Sequence, residues 1–181
     1  MKPLEWGPSI WYLIHSIAYY CDEKDFKNNN NFFFLFYNSL KKLIPCPICR
    51  KHLNKLMNKK NINTCKSNED LINWTIRKHN EVNNRLKKKN LNRNDANKIY
   101  KNIDLNKVIK AVDIIMFNIQ LKVPISEYII FMNTLKKIFP EKIFRTKLAL
   151  AIDNKKIKVK LKNQNDIIKW YLNIGNYIRT H

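Results

Sequence analysis

Glycine is nearly absent from this chain: Gly7 and Gly175 are the only two among 181 residues. That scarcity removes whole fold classes. A G-x-G-x-x-G dinucleotide turn and a P-loop each need several glycines close together, so neither is encoded. β-Sandwiches and barrels consume glycine at their turns, so helices are the expected elements and the expected fold class is all-α. Hydrophobic residues make up 45% and aromatics 12%, enough to bury a core and too many for a disordered chain. The length suits one ordinary domain or two small ones. No apolar run approaches 18 residues, and Met1 to Glu5 shows no signal-peptide core. A soluble protein with no membrane span, not exported by that route, is expected.

The formal net charge of +21 invites a nucleic-acid reading. Composition argues against it. Of the 35 basic residues 29 are lysine and only 6 arginine, whereas arginine is the preferred reader of bases and phosphates. Lysine, asparagine and isoleucine are the residues that A/T-rich codons specify, and the lysines run from end to end. Nonspecific attraction to polyanions is expected, and a specific nucleic-acid partner is not.

Apolar spacing predicts helices almost throughout. Ile10, Trp11, Ile14, His15 and Ala18 share one helical face. After the polar run Lys27 to Asn31, Phe33, Phe36, Tyr37, Leu40, Leu43 and Ile44 follow the i, i+3, i+4, i+7 pattern up to Pro45. A third helix starts at Pro47 and reaches about Met57. A fourth opens at Ser67 to Asp70, with Ser67 as N-cap, and is expected to continue past Leu86. A short fifth lies near Asp95 to Lys101.

The pattern then repeats. Phe36 to Leu56 and Phe131 to Ala151 agree at nine of 21 positions at an offset of 95, where composition alone gives about two. Phe36, Leu40, Pro45, Ile48, Arg50 and Leu53 recur as Phe131, Leu135, Pro140, Ile143, Arg145 and Leu148. At an offset of 96, Asp70, Ile72, Trp74 and Asn80 recur as Asp166, Ile168, Trp170 and Asn176. Leu105, Val108, Ile109, Val112, Met116 and Ile119 give the second copy its first helix. The expectation is two helical units, 1–103 and 104–181, the second a degenerate copy.

The chemistry centres on Cys46-Pro47-Ile48-Cys49. A CxxC at a helix start sets two sulfurs one turn apart, where unpaired N–H groups and the helix dipole favour a thiolate. Alone, the motif is open to redox, zinc-binding and structural readings. A zinc site would draw on Cys21, Cys65, His52 or His79, none of which forms a second paired motif. A thioredoxin fold needs a strand before the motif, and the preceding segment is helical in period. Cys21 and Cys65 are read as inert buried thiols, with pairing or electron shuttling as alternatives.

Three motifs stand in order around that CxxC: Trp6-Gly7-(x3)-Trp11-(x3)-His15, then Pro45-Cys46-(x2)-Cys49, then Trp74-(x4)-His79-Asn80-Glu81-Val82-Asn83. Together they resemble the FAD-linked sulfhydryl oxidases of the Erv/ALR family, most of all the compact thiol oxidases of large cytoplasmic DNA viruses. The resemblance covers about residues 1–101. It implies an FAD-binding four-helix bundle with a short fifth helix, and Cys46 and Cys49 as the catalytic pair. It implies a cofactor set of Trp6, Gly7, Trp11, His15, Tyr20, His79, Asn80, Val82, Asn83, Lys88 and Tyr100, and no metal. Trp11 and His15, four apart, present aromatic rings on one face, and the His and Asn side chains need the partners that a nucleotide would supply.

The implied reaction oxidises two protein thiols, free or on a small disulfide carrier, to a disulfide. Oxygen is the final acceptor and hydrogen peroxide the product. Cys46 is the implied point of attack and Cys49 the sulfur facing the flavin. A homodimer and a cytoplasmic setting, in an infected cell or its virions, come with the resemblance. Two departures stand out. Ile76 occupies the place of a structural cysteine, and Pro8 the place of an arginine often found after the first glycine.

Overall fold

The computed structural model describes residues 3–58, 62–119, 122–155 and 160–181. Among these, nine α-helices and no strands are present: α1 Pro3–Tyr19, α2 Glu23–Leu43, α3 Pro47–Asn58, α4 Asn68–Arg85, α5 Arg93–Tyr100, α6 Leu105–Phe117, α7 Ile125–Ile138, α8 Lys142–Asp153 and α9 Gln164–Thr180. The described chain is all-α, as expected from its glycine scarcity.

Local chemistry starts the helices. Asp22, Ser67, Asn92, Asp104, Glu141 and Asn163 each accept backbone N–H groups of the first turn through their side chains, satisfying donors that have no partner within the helix. Three boundaries differ from expectation: α6 ends at Phe117 with Asn118 as its C-cap, so Ile119 lies past it, and the other two concern α2 and α4. The polar run Lys27 to Asn31 does not precede α2 but lies inside it, and only Asn29 leaves helical geometry (φ −121°, ψ 15°). Buried Phe26 and Phe33, with ring centroids 5.9 Å apart, hold both sides of that kink on the core. Helix α4 ends at Arg85 and does not pass Leu86. Lys87 turns into the left-handed region at φ 54°, and Lys87 N and Lys88 N donate back to Asn84 O and Asn83 O. This is a Schellman stop with lysine at the position that favours glycine.

The repeat positions behave alike in three dimensions. Arg50 Nη1 donates to Ile44 O, and Arg145 Nε to Phe139 O, each six residues back. Lys66 N and Lys162 N both donate to the carboxylate four residues on, Asp70 and Asp166, at 2.9 Å. Trp74 and Trp170 are both buried.

Helix α6 packs along α1, and α7 along α2. At the centre of the second contact Phe36 stacks on Phe131, with centroids 5.7 Å apart. These are corresponding positions of the sequence repeat. Ion pairs rim the contact: Lys42 with Glu127 at 2.5 Å and Arg145 with Asp25 at 2.9 Å.

Candidate active site

Cys46 and Cys49 are joined as a disulfide with Cα atoms 5.1 Å apart. Pro47 begins α3, so Cys46 occupies the N-cap position. Its Sγ accepts Cys49 N–H at 3.2 Å, and its carbonyl accepts Arg50 N–H at 2.9 Å. One amide of the first turn, Cys49 N–H, therefore points at Cys46 Sγ, where it would stabilise a Cys46 thiolate. Both cysteines are half-buried, so exposure does not separate them, and their distinction rests on position in the helix.

The disulfide borders a cavity of about 1060 Å³. Helix α1 contributes Trp6, Gly7, Pro8 and Trp11 to its wall, and α4 contributes His79, Val82 and Asn83. Lys88, past the end of α4, and Tyr100 of α5 complete that side. Ten of the cofactor positions expected from sequence, counting the two cysteines, thus converge on one space. Trp6 Nε1 is buried and has no hydrogen-bond partner, and a methyl group at Gly7 would meet no protein atom within 4 Å.

A ring stack backs the cavity. Trp11 lies parallel to His79 at 4.2 Å and His15 on Tyr100 at 4.3 Å. The hydrogen bonds fix the proton positions. Thr75 Oγ1 donates to Ile72 O at 2.8 Å, so it accepts His15 Nδ1–H at 3.1 Å. His15 Nε2 is then bare and accepts His79 Nδ1–H at 3.0 Å, which leaves His79 Nε2 as an acceptor. Both rings are held neutral. Burial, and then the neighbouring His79, keeps His15 well below the ordinary imidazole range. Burial, and then Lys88, lowers His79 to about 4.

Three expected residues stand elsewhere. His15 is fully buried behind His79 and steadies that ring instead of lining the cavity. Asn80 engages the loop after α4 with both ends of its amide, donating to Leu91 O and accepting Leu91 N–H, each at 2.8 Å. Tyr20 donates to Lys101 O at 2.8 Å and accepts Ile103 N–H, so it fastens the segment between α5 and α6.

Other residues near the site carried no motif signal. Lys78 is almost wholly buried and donates to Leu56 O at 2.6 Å in the last turn of α3, which pins the helix that carries the disulfide. Arg85 donates to His52 Nδ1 at 2.9 Å, linking α4 to α3. Cys21 and Cys65 are free and buried. Burial, reinforced by neighbouring carboxylates, pushes their thiols up to about 12 and about 11, so neither is a thiolate at neutral pH. No group of three or more metal-ligating side chains occurs among the described residues, and no described helix is long and apolar enough to cross a membrane.

An all-α bundle that opens a nucleotide-sized cavity onto a CxxC disulfide defines a helical dithiol oxidoreductase. The family model for the Erv1 / Alr family matches residues 8–102, and the chain belongs to that family. It is 32% identical over 111 residues to the FAD-linked sulfhydryl oxidase of a Kenyan pig isolate of African swine fever virus, covering 61% of this chain and 88% of the relative. The corresponding enzyme of a Malawian tick isolate is 32% identical over 106 residues, 58% of this chain and 87% of its own. The probable FAD-linked sulfhydryl oxidase of Acanthamoeba polyphaga mimivirus is 32% identical over 87 residues, 46% and 59%. No solved structure matches the chain.

Proposed function

We infer that the chain is an FAD-linked sulfhydryl oxidase that converts pairs of protein thiols to disulfides through Cys46 and Cys49. One observation carries the reading: in a member of this family, the Cys46–Cys49 disulfide borders the same cavity as the Trp11–His79 stack. The cavity also fits the cofactor. Its volume and aromatic walls suit a dinucleotide, and the open face of Gly7 leaves room for one. Trp6, Gly7, Trp11, His79, Val82, Asn83, Lys88 and Tyr100 would hold it, with His15 and Asn80 steadying His79 and the loop behind.

Within the chain the steps are thiol exchange. A substrate thiolate attacks Cys46 Sγ at the cavity rim, forming a mixed disulfide, and Cys49 leaves as a thiolate. The substrate's second thiolate attacks its own bridging sulfur and releases Cys46. Cys49 N–H and the first turn of α3 stabilise that leaving thiolate. The substrate has lost two electrons, which the Cys46/Cys49 pair now holds as a dithiol. When bound, FAD would supply the remaining chemistry, a route for that electron pair to oxygen that re-forms the Cys46–Cys49 disulfide with hydrogen peroxide as the product.

Residues 104–181 act in this reading as a redox-inactive copy. Glu141 and Phe144 replace Cys46 and Cys49, while Gly175 and Arg179 replace His79 and Asn83. Glu141 keeps the capping task, accepting Ile143 N–H and Phe144 N–H. Tyr171, at the place of Thr75, reaches across to Asp113 at 2.6 Å, and a bulky ring stands where a small hydroxyl did. The family resemblance implies dimerisation through the first two helices, a surface that α6 and α7 cover in this chain, so self-association would need another face. Viral relatives support a cytoplasmic setting in infected cells or virions.

The test is spectroscopic. Purified protein carries one FAD per chain. Cys46→Ser and Cys49→Ser each abolish dithiol oxidation and keep flavin. Only Cys46→Ser, which frees Cys49 as a thiolate beside the flavin, gains a long-wavelength absorbance. A colourless preparation, or two flavins per chain, overturns the reading.

A further inference from the structure

The wall of the active-site cavity is not made by the motif-bearing half alone. Lys107 and Lys110, in the first two turns of α6, line it together with Arg85, Lys88 and Lys89. Among the described residues five cations thus border one space, and none of its lining residues is an aspartate or glutamate. Like charges gathered around a cavity raise one another's energy and attract a compensating anion. Pro8, on the same wall, offers neither a charge nor a donor, so α1 adds no cation of its own there.

The two α6 lysines are held in place from the other half. Tyr12 of α1 accepts Asp104 N–H at 2.8 Å, and Tyr20 accepts Ile103 N–H. These hydroxyls fasten the chain to α1 just where α6 begins. Asp104 caps the new helix through Asn106 N and Lys107 N. Lys107 then lies over the Tyr12 ring, its Nζ 5.4 Å from the centroid. Asp104 is its neighbouring carboxylate, at 3.4 Å, and Lys110 follows one turn on, exposed at the cavity edge.

We propose that α6 belongs to the cofactor site, with Lys107 and Lys110 forming a cationic wall for the diphosphate of the bound dinucleotide. The C-terminal half thereby completes the pocket of the half that carries the disulfide. This rests on the reading of the cavity as an FAD site, and the experiment separates the two. Apo-protein is titrated with FAD and with riboflavin, which has the same ring system and no phosphate, at low and high salt.

In a Lys107→Ala/Lys110→Ala variant the FAD dissociation constant rises about tenfold at low salt, equivalent to about 1.4 kcal/mol. The salt dependence of FAD binding becomes shallower, riboflavin binding is unchanged, and Lys107→Arg/Lys110→Arg restores the parent behaviour. Lys110→Glu alone weakens FAD at low salt by a similar factor, and because it changes one exposed residue its fold is retained. Unchanged FAD affinity and salt slope in these variants overturn the α6 assignment while leaving the oxidase reading intact. Equal weakening of FAD and riboflavin also overturns it, as a structural effect. A parent protein that binds no FAD overturns both.

Discussion

His79 links the chemistry of single residues to the pH range in which the site survives. Its ring is fixed by Trp11 on one face and by the bond to His15 Nε2, and that bond requires His15 to be unprotonated at Nε2. In the unfolded chain both imidazoles titrate near ~6.5, whereas in the fold His79 titrates at about 4 and His15 well below the ordinary range. Between these limits the unfolded chain binds more protons, so the pair's contribution to stability is complete above the unfolded value and falls as pH drops toward 4. Urea midpoints should therefore decline between pH 7 and 4.5, with flavin released over the same range, and the decline should shrink in His79→Gln. A midpoint as steep in pH for that variant as for the parent would remove the His79 part of the account. At this scale the spacing of the motif residues foretold that eight expected cofactor positions and the two cysteines would line one cavity. Asn80 and Tyr20 engage loops, and in sequence a polar side chain looks the same whether it meets a ligand or a loop. Leu91, Lys101 and Ile103, which engage them, lie outside the motifs.

Helix α4 shows what a glycine-poor chain does at a place where glycine suits the backbone. Its Schellman stop holds Asn83 beside Lys88, and Asn83 Nδ2 donates to Lys89 O at 3.1 Å, so the end of the helix shapes the cationic rim of the cavity. Lys87 takes the left-handed conformation at φ 54°, which costs an L-residue about 1–2 kcal/mol relative to glycine. Lys87→Gly should therefore stabilise the protein by about 1 kcal/mol after the loss of backbone entropy, with flavin binding unchanged; a destabilised variant would contradict this account of the stop. The extent of most helices was legible from apolar spacing, and Ser67 and Pro47 announced two starts. The end of α4 was hidden because the usual signal, glycine one residue past the cap, is absent. The start of α2 was hidden because a polar run inside a long helix resembles a loop when nothing shows that Phe26 and Phe33 both reach the core.

Across the whole molecule the two halves share one core, with Phe36 stacked on Phe131 where α2 crosses α7. Phe131 is fully buried, so Phe131→Ala should cost about 3–5 kcal/mol. Because that contact ties both halves, urea should unfold α1 to α9 and release flavin in one transition, earlier in the variant than in the parent. Loss of the C-terminal helices while flavin stays bound would show that the halves are energetically separate. The repeat itself was legible in the sequence, but its docking was not, since an amphipathic stripe shows that a face is buried and not what covers it. The covering of α1 and α2 by α6 and α7 has a further consequence. Two separate subunits come apart on dilution, whereas faces joined by one chain meet at a fixed effective concentration and stay assembled however scarce the protein is. In two identical subunits, moreover, every codon change alters both faces of the contact and both sites at once. Here Cys46 and Glu141 are written by different codons, so one site can drift or be lost while the other keeps its chemistry.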